Sequence, residues 1–247
     1  MAISDPYYRQ DLAQIHHLGF GFHADRCADG ILSLLEPVRK NKGLVFELGC
    51  GSGLLTRYLI DAGHRVIATD ASPAMLDLAR NVVPDAEEIR QVVLPDDPLP
   101  ECDAIVSIGH VLSYLADEAS VDRALVAAAK ALRPGGVFAI DLCDLRWGEA
   151  YRDRPNQGRA GDEWAIISEF SLPRPNLFVR QMTTFVRVED GTWRRDDERH
   201  ENVLIDTSRL PALLAEHRLE VRVAESFGNE ELPAGLVTIV GRRAPTL

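Results

Sequence analysis

The stretch Val45-Phe46-Glu47-Leu48-Gly49-Cys50-Gly51-Ser52-Gly53 decides how the rest of the chain is read. Leu44 to Leu48 is a short apolar run of the kind that forms a buried strand. Three glycines follow at alternate positions, 49, 51 and 53. Leu54, Leu55, Tyr58, Leu59 and Ile60 then recur as a helix, which Gly63 closes in the C′ position. Glycines between a strand and a helix let the chain turn sharply, and they let a ligand approach the backbone with no Cβ in the way. A plain strand-to-helix turn needs only one. The dinucleotide fingerprint G-x-G-x-x-G would put its third glycine at 54, where Leu54 stands, and the Gly-Lys-Ser/Thr of a phosphate-cradling loop is absent.

Working outward, Val66–Asp70 reads as a second strand. Ser72 is an N-cap with Pro73 at N1, opening a helix through Met75, Leu76, Leu78 and Ala79. Ile89–Leu94 and Ala104–Ile108 are further strands. A helix from about Ser120 to Leu132 ends at Arg133-Pro134-Gly135-Gly136, and Val137–Leu142 is strand five. This alternation predicts an α/β fold: a Rossmann-like, seven-stranded, mostly parallel sheet with helices on both faces. Upstream, Leu12, Ile15 and Leu18 mark one helix, Gly19-Phe20-Gly21-Phe22 a break, and Asp25 to Val38 a second helix with Ile31, Leu34 and Leu35 on one face. After residue 143 the period changes to two. Glu163–Leu172, Leu177–Val188 and Thr192–Ile205 are separated by the turn clusters Pro173-Arg174-Pro175-Asn176 and Glu189-Asp190-Gly191. They read as a small antiparallel β excursion of two hairpins after strand five. A helix from Asp206 or Thr207 to about His217 and strands near Leu219–Ala224 and Leu236–Val240 complete the sheet. The expected organisation is a single domain over 1–247, with an N-terminal helical part (1–43), a core (44–142), the β insertion (143–205) and a closing part (206–247).

Apolar residues make up 46% of the 247 and charged ones 26%, which suits a soluble domain with a sizeable core. The formal net charge of −11 disfavours sequence-independent nucleic-acid binding. The run Trp193-Arg194-Arg195-Asp196-Asp197-Glu198-Arg199 mixes both signs and reads as a solvated strand face. Cys27, Cys50, Cys102 and Cys143 form no CxxC pair, and no cluster has zinc-ligand spacing, so no metal is expected. Met1-Ala2-Ile3-Ser4-Asp5-Pro6 lacks an apolar leader, and no run approaches the roughly 20 residues that cross a bilayer. A cytoplasmic protein without membrane partners is the expectation.

The motif Val45–Gly53 resembles motif I of the class I S-adenosylmethionine (SAM)-dependent methyltransferases. Ala68-Thr69-Asp70-Ala71-Ser72-Pro73-Ala74-Met75-Leu76 resembles the second family motif. Asp103-Ala104-Ile105-Val106 and Leu132-Arg133-Pro134-Gly135-Gly136 resemble the fourth-strand motif and the turn before strand five. The resemblance spans most of the chain and is nearest to small-molecule enzymes, including sugar N-methyltransferases. It implies SAM as cofactor, S-adenosylhomocysteine as product, and methyl transfer to an O or N atom of a small-molecule acceptor. Gly49, Cys50, Gly51 and Gly53 would cradle the cofactor, with Ala71, Ile108 and Gly109 around it. Asp70 has its own physics: a carboxylate ending the second strand beside the loop accepts both ribose hydroxyls and repels a 2′-phosphate. By resemblance, Glu47 helps fix the cofactor's ammonium end, and Met75 and Leu94 pack near the adenine. Many relatives carry an Asp just after strand three. Here the region reads Val93-Leu94-Pro95-Asp96-Asp97, leaving Asp96 and a backbone contact from Leu94 as alternatives. In such relatives the N-terminal segment folds over the cofactor. His17, beside His16, falls near the position that touches the cofactor's carboxylate, while Phe20 stands where some relatives have a basic residue.

Ligands in open α/β sheets lie beyond the carboxyl ends of the strands where strand order reverses, which in this family is between strands one and four. Ile108-Gly109-His110-Val111 follows strand four, with Tyr114 one turn later. His110 is the candidate general base, since a neutral imidazole accepts a hydroxyl or amine proton; the alternative is that it packs against the cofactor. Tyr114 is a second catalytic candidate or a core residue. Asp141 and Asp144 orient an acceptor or cap the next loop. Trp147 and Tyr151 line an acceptor pocket or form satellite core. His200 belongs to the excursion, which covers the acceptor pocket in such relatives; the plainer reading is an exposed strand histidine. Two other classes stay open: a non-catalytic SAM-binding protein and an NAD-type oxidoreductase, the latter disfavoured by Leu54. A nucleic-acid base methyltransferase is disfavoured by the acidic charge and by the lack of an Asn-Pro-Pro-Tyr-type motif. Homo-oligomerisation is left open.

Overall fold

The computed structural model describes residues 7–245; the outermost ends of the N-terminal and closing parts lie outside the described residues. From the N-terminus the chain forms α1 (Gln10–Gly19) and α2 (Phe22–Lys40), then β1 (Leu44–Leu48), α3 (Leu54–Asp61), β2 (Arg65–Asp70), α4 (Pro73–Val82), β3 (Glu88–Gln91), β4 (Cys102–Ser107), α5 (Glu118–Ala131) and β5 (Leu132–Cys143). It continues through α6 (Leu145–Tyr151), β6 (Gln157–Ala160), β7 (Trp164–Arg174), β8 (Leu177–Arg187), β9 (Trp193–Val203), α7 (Leu210–Ala215), β10 (Leu219–Ala224) and β11 (Leu236–Arg243).

Seven strands make one sheet in the order β10-β11-β5-β4-β1-β2-β3. β1 to β5 run parallel, while β11 pairs antiparallel with β5, and β10 antiparallel with β11. β1 shows why the sheet is covered twice. Val45 packs with Leu55, Leu59 and Ile31 on the α2–α3 face, and Phe46 with Leu125 and Phe138 on the α5 face. Parallel strands buried on both faces read as continuous apolar runs, as Leu44–Leu48 does. Ser72 caps α4 as expected, its hydroxyl accepting the Met75 N–H at 3.2 Å.

The excursion is a four-stranded antiparallel sheet in the order β6-β7-β8-β9. Its inner face alternates along each strand, and its registers set Ser168 opposite Met182, Phe170 opposite Arg180, and Arg180 opposite His200. Leu12 and Ile15 of α1 pack against Trp164, Ile166, Met182 and Val186 of this sheet. Gly19 is required there: a Cβ would sit 2.6 Å from the Trp164 ring.

The structure corrects some expected details. The excursion has three hairpins rather than two. β6 carries no apolar alternation, all four residues being exposed, so no pattern announces it. α6 was not foreseen; Asp144 caps it through the Arg146 N–H, and Gly148 lets it close on Leu172 and Leu204. Phe22 opens α2 instead of breaking the chain, and Leu18 faces solvent at 58% exposure while Leu12 and Ile15 are buried. β3 stops at Gln91. The last helix is a 3-10 turn, Thr207–Arg209, and a short α7. Among the described residues, no helix is long and apolar enough to cross a membrane.

Candidate active site

Strand order reverses at β1, which has β2 on one side and β4 on the other. The glycine loop leaves β1 at this point. Gly49, Gly51 and Gly53 all have positive φ (65°, 55° and 85°), where a side chain is strained. A Cβ at Gly49 would collide with Val111, and one at Gly53 would lie 2.9 Å from Val83. The loop is also tied down: Cys50 N–H donates to Thr69 O at 2.7 Å and Gly51 N–H to Asp70 Oδ2 at 2.9 Å. Asp70 Oδ1 accepts the Ser72 N–H at 2.8 Å. Burial pushes the Asp70 carboxyl up, and the N–H groups of Ser72 and Gly51 pull it back. Glu47, fully buried on β1, accepts the Thr56 hydroxyl at 2.6 Å, and burial pushes its carboxyl up to about 7.

These residues fit a nucleoside that carries a cation and no phosphate. The loop offers close backbone and no Lys or Arg, with one carboxylate at the end of β2 and another on β1. Asp70 and Glu47 would hold the ribose and ammonium ends of SAM, against Gly49, Cys50 and Gly51.

The other predicted cofactor residues spread more widely. Cys50, Ile108 and Gly109 line a cavity of about 370 Å³ that begins at the loop. Met75 is buried behind Gly51, where an added Cβ would lie 3.9 Å from its sulfur. Ala71 is exposed and its carbonyl accepts the Gln91 amide. Leu94 packs partly onto the core beyond β3, outside the cavity lining. Asp96 is exposed, and it is Asp97 that closes the turn, accepting the Val93 N–H at 2.7 Å. His17 binds the loop directly, Nδ1 to Ser52 Oγ at 2.9 Å, while its neighbour His16 lines the cavity, stacked on Phe20.

His110 sits at φ 50°, ψ 40°, opening a 3-10 turn that carries Tyr114. Its ring lines the cavity, stacked on Tyr114 with centroids 5.5 Å apart and tilted against Trp147 at 5.7 Å. Nδ1 is buried with no protein partner. Burial is the main reason its pKa falls to about 4, so the imidazole is neutral at ordinary pH.

Asp141, named as a catalytic candidate, lies at the base of the loop that follows β4. It is fully buried and its carboxylate is spent on the N–H groups of Gly109 (2.9 Å) and His110 (2.6 Å) and on His23 Nε2 (2.9 Å). It is a positioning residue that fixes the strained backbone beneath His110. Asp144 takes the capping alternative, accepting the Thr207 hydroxyl at 2.6 Å. Trp147 and Tyr151 stack on each other at 4.3 Å and line the cavity.

The plainer reading of His200 is corrected. It is fully buried, not exposed, because it lies on the inner face of β9. Its Nε2 meets Glu198 Oε2 at 2.9 Å, and Glu198 accepts the N–H groups of Tyr8 and Arg9, both at 2.8 Å. Arg180 Nη2 lies 3.3 Å from His200 Nδ1, 3.1 Å from the Tyr114 hydroxyl and 3.3 Å from that of Tyr8. Tyr8, His16, His23, Arg180 and Asn202 all line the cavity and were missed from sequence. For Arg180 a signal existed: it falls at an inward position of a period-2 strand, between Phe178 and Met182.

Fold and site together define a Rossmann-like α/β domain whose glycine loop opens onto a cavity beneath the four-stranded sheet. A family model described as "Methyltransferase domain" matches residues 46–140. The chain is similar in structure to a SAM-dependent methyltransferase from Clostridium acetobutylicum (TM-score 0.77, 19% identity, 94% of this chain and 97% of that one). It is likewise similar to a sugar N-methyltransferase from Streptoalloteichus (TM-score 0.77, 19% identity, 99% of each chain). It is 28% identical over 164 residues to trans-aconitate 2-methyltransferase from Escherichia coli, covering 60% of this chain and 64% of that protein. Residues 46–140 carry a methyltransferase domain, and the chain has the fold of SAM-dependent methyltransferases.

Proposed function

We propose that the chain methylates an O or N atom of a small-molecule acceptor held beneath the four-stranded sheet. The observation that carries this reading is one continuous cavity lined both by Gly49, Cys50 and Gly51 and by Trp147, Tyr151 and Phe178. Aromatic walls interspersed with polar side chains such as Gln157, Ser168 and Asn202 suit a small organic ligand. α1 and α2 act as the lid of this unit and residues 143–205 as the acceptor roof, parts of one domain.

SAM, when bound, supplies an electrophilic methyl group. This chain's residues bind and orient the two partners, exclude water, and take the acceptor's proton where one must leave. His110 is the group for that last task. Its backbone is pinned by Asp141, its ring is held by Tyr114 and Trp147, and burial keeps it neutral.

The test is calorimetric titration with SAM and NADH, then an acceptor screen that reads S-adenosylhomocysteine release. SAM is expected to bind in the micromolar range, about −8 kcal/mol. NADH binding tighter than SAM overturns the reading, as does turnover confined to nucleic acid or protein acceptors.

A further inference from the structure

Among the described residues, Arg180 is a guanidinium without a carboxylate partner. It projects from the inner face of β8 into the cavity. Every hydrogen bond it makes goes through Nη2, and each acceptor is neutral: two phenol oxygens and an imidazole nitrogen. Its Nε is buried with no partner among the described residues. By contrast, the partly exposed arginines Arg194, Arg9 and Arg209 are paired with acids: Asp11, Asp196, and Glu118 with Asp122. Around Arg180 the cavity wall is Phe170, Phe178, Met182, Tyr151 and Trp147. A cation in such surroundings is costly unless an anion completes it.

Glu198, on the other side of His200, does not do so. An imidazole stands between the two groups, and Glu198 is already engaged by two backbone N–H groups and His200 Nε2. His200 therefore presents Nδ1 as an acceptor, which fixes Arg180 without neutralising it.

Building on the methyltransferase reading above, we propose that Arg180 anchors an anionic group of the acceptor, a single carboxylate. Unspent guanidinium donors match carboxylate oxygens in a planar, bidentate geometry. One guanidinium balances one negative charge. A phosphate dianion would need a second cation beside Arg180, and the other guanidinium lining the cavity, Arg154, is engaged over the rings of Tyr151 and Phe170. The position also sets the acceptor's shape. Tyr114 bridges the two ends, its hydroxyl on Arg180 and its ring on His110 at 5.5 Å. The acceptor is thus a hydroxy or amino acid-type molecule, whose nucleophile lies toward His110 and whose carboxylate lies one aromatic ring away on Arg180.

The experiment titrates S-adenosylhomocysteine-loaded and cofactor-free protein by calorimetry with acetate, phenylacetate and indole-3-acetate, each against its neutral primary amide, and with phenyl phosphate. At least one acid is expected to bind about 10-fold or more tighter than its amide, and Arg180→Gln to erase that preference. Arg180→Gln should still bind S-adenosylhomocysteine as the wild type does, which shows that the fold survives. Acids and amides that bind alike or not at all, or a preference that persists in Arg180→Gln, overturn the proposal. Phenyl phosphate binding tighter than every acid overturns its carboxylate assignment. Failure of the wild type to bind S-adenosylhomocysteine instead overturns the underlying methyltransferase reading.

Discussion

The two sheets handle their ligands by different means. At the end of the parallel sheet, the proposed cofactor site is built from backbone: three positive-φ glycines in a loop that the Cys50 and Gly51 N–H groups tie to Thr69 and Asp70 of the next strand. The antiparallel sheet has no glycine cradle. It points side chains of varied chemistry into the cavity, including Phe170, Phe178, Arg180, Met182 and Asn202. A backbone site serves one fixed ligand, because few sequences can build it. A side-chain site on a solvated sheet can change its ligand one residue at a time. Separating the two lets the acceptor vary while cofactor binding stays intact, and the separation can be tested from both sides.

The largest expected effect falls where the two halves meet. His110→Ala should lower kcat by about 10²–10⁴-fold, the range for losing a positioned acid–base group, with cofactor affinity nearly unchanged. Because burial holds the imidazole near pKa 4, turnover should stay flat from neutral pH downward and fall only as the pH approaches about 4. An acid limb near 6.5 would mean that the ring is solvated during the reaction. Weakened SAM binding with unchanged saturated turnover would place His110 in the cofactor half.

Asp70→Ala probes the parallel half alone. It removes charge-assisted bonds at the nucleoside and frees the Gly51 N–H, and should cost roughly 1.5–3 kcal/mol of SAM affinity. Acceptor KM at saturating SAM should not move. If KM shifts as much as cofactor affinity, the two sites are coupled and the separation fails.

The legibility of the two halves in sequence follows the same divide. The parallel half was readable because its first turn demands glycines at 49, 51 and 53, all at positive φ, and an Asp ends β2 beside it. Period-2 alternation revealed three of the four excursion strands. It did not reveal β6, whose residues are all exposed, nor α6, whose register rests on Gly148 meeting Leu172 and Leu204. Asp141 and His200 show the deeper limit. A carboxylate after strand five reads alike whether it faces an acceptor or backbone N–H groups. A histidine among charged residues looks exposed until Tyr8, Arg180 and Glu198 are seen to enclose it. Those partners lie up to 192 positions away, and local pattern carries no information about them.

A smaller effect concerns pH and the lid. His16 is held near pKa 3 and His110 near 4, in each case chiefly by burial. Both folded values lie below the unfolded 6.5, so the unfolded chain binds more protons as pH falls. Stability from these two groups is full above about pH 6.5 and is lost on acidification toward 4, approaching about 1.4 kcal/mol per pH unit for each. Glu47 opposes them, since its pKa near 7 lies above the unfolded value and favours folding as pH falls. His16→Gln should therefore flatten the fall in urea-unfolding free energy between pH 6.5 and 5. Equal slopes in variant and wild type would show that the imidazole charges inside the fold.

The smallest effect tests how firmly the antiparallel sheet is tied to the N-terminal helix. Arg194 of β9 clasps the Asp11 carboxylate with two donors, Nε at 2.8 Å and Nη2. Asp11 is 4% exposed and sits in the first turn of α1, where a negative charge also complements the helix dipole. Arg194 is half exposed, so solvent screens much of the attraction. Asp11→Asn keeps one acceptor oxygen and removes the charge. It should cost below about 1 kcal/mol in urea unfolding, with S-adenosylhomocysteine affinity unchanged, and high salt should shrink the gap to wild type. The reason for so small a number is that apolar burial of Leu12 and Ile15 under Trp164 and Met182 already joins α1 to the sheet. A loss several times larger, indifferent to salt, would mean that the ion pair rather than the apolar contact joins α1 to the roof; lid and acceptor roof would then unfold as one electrostatically fastened unit, separately from the parallel sheet.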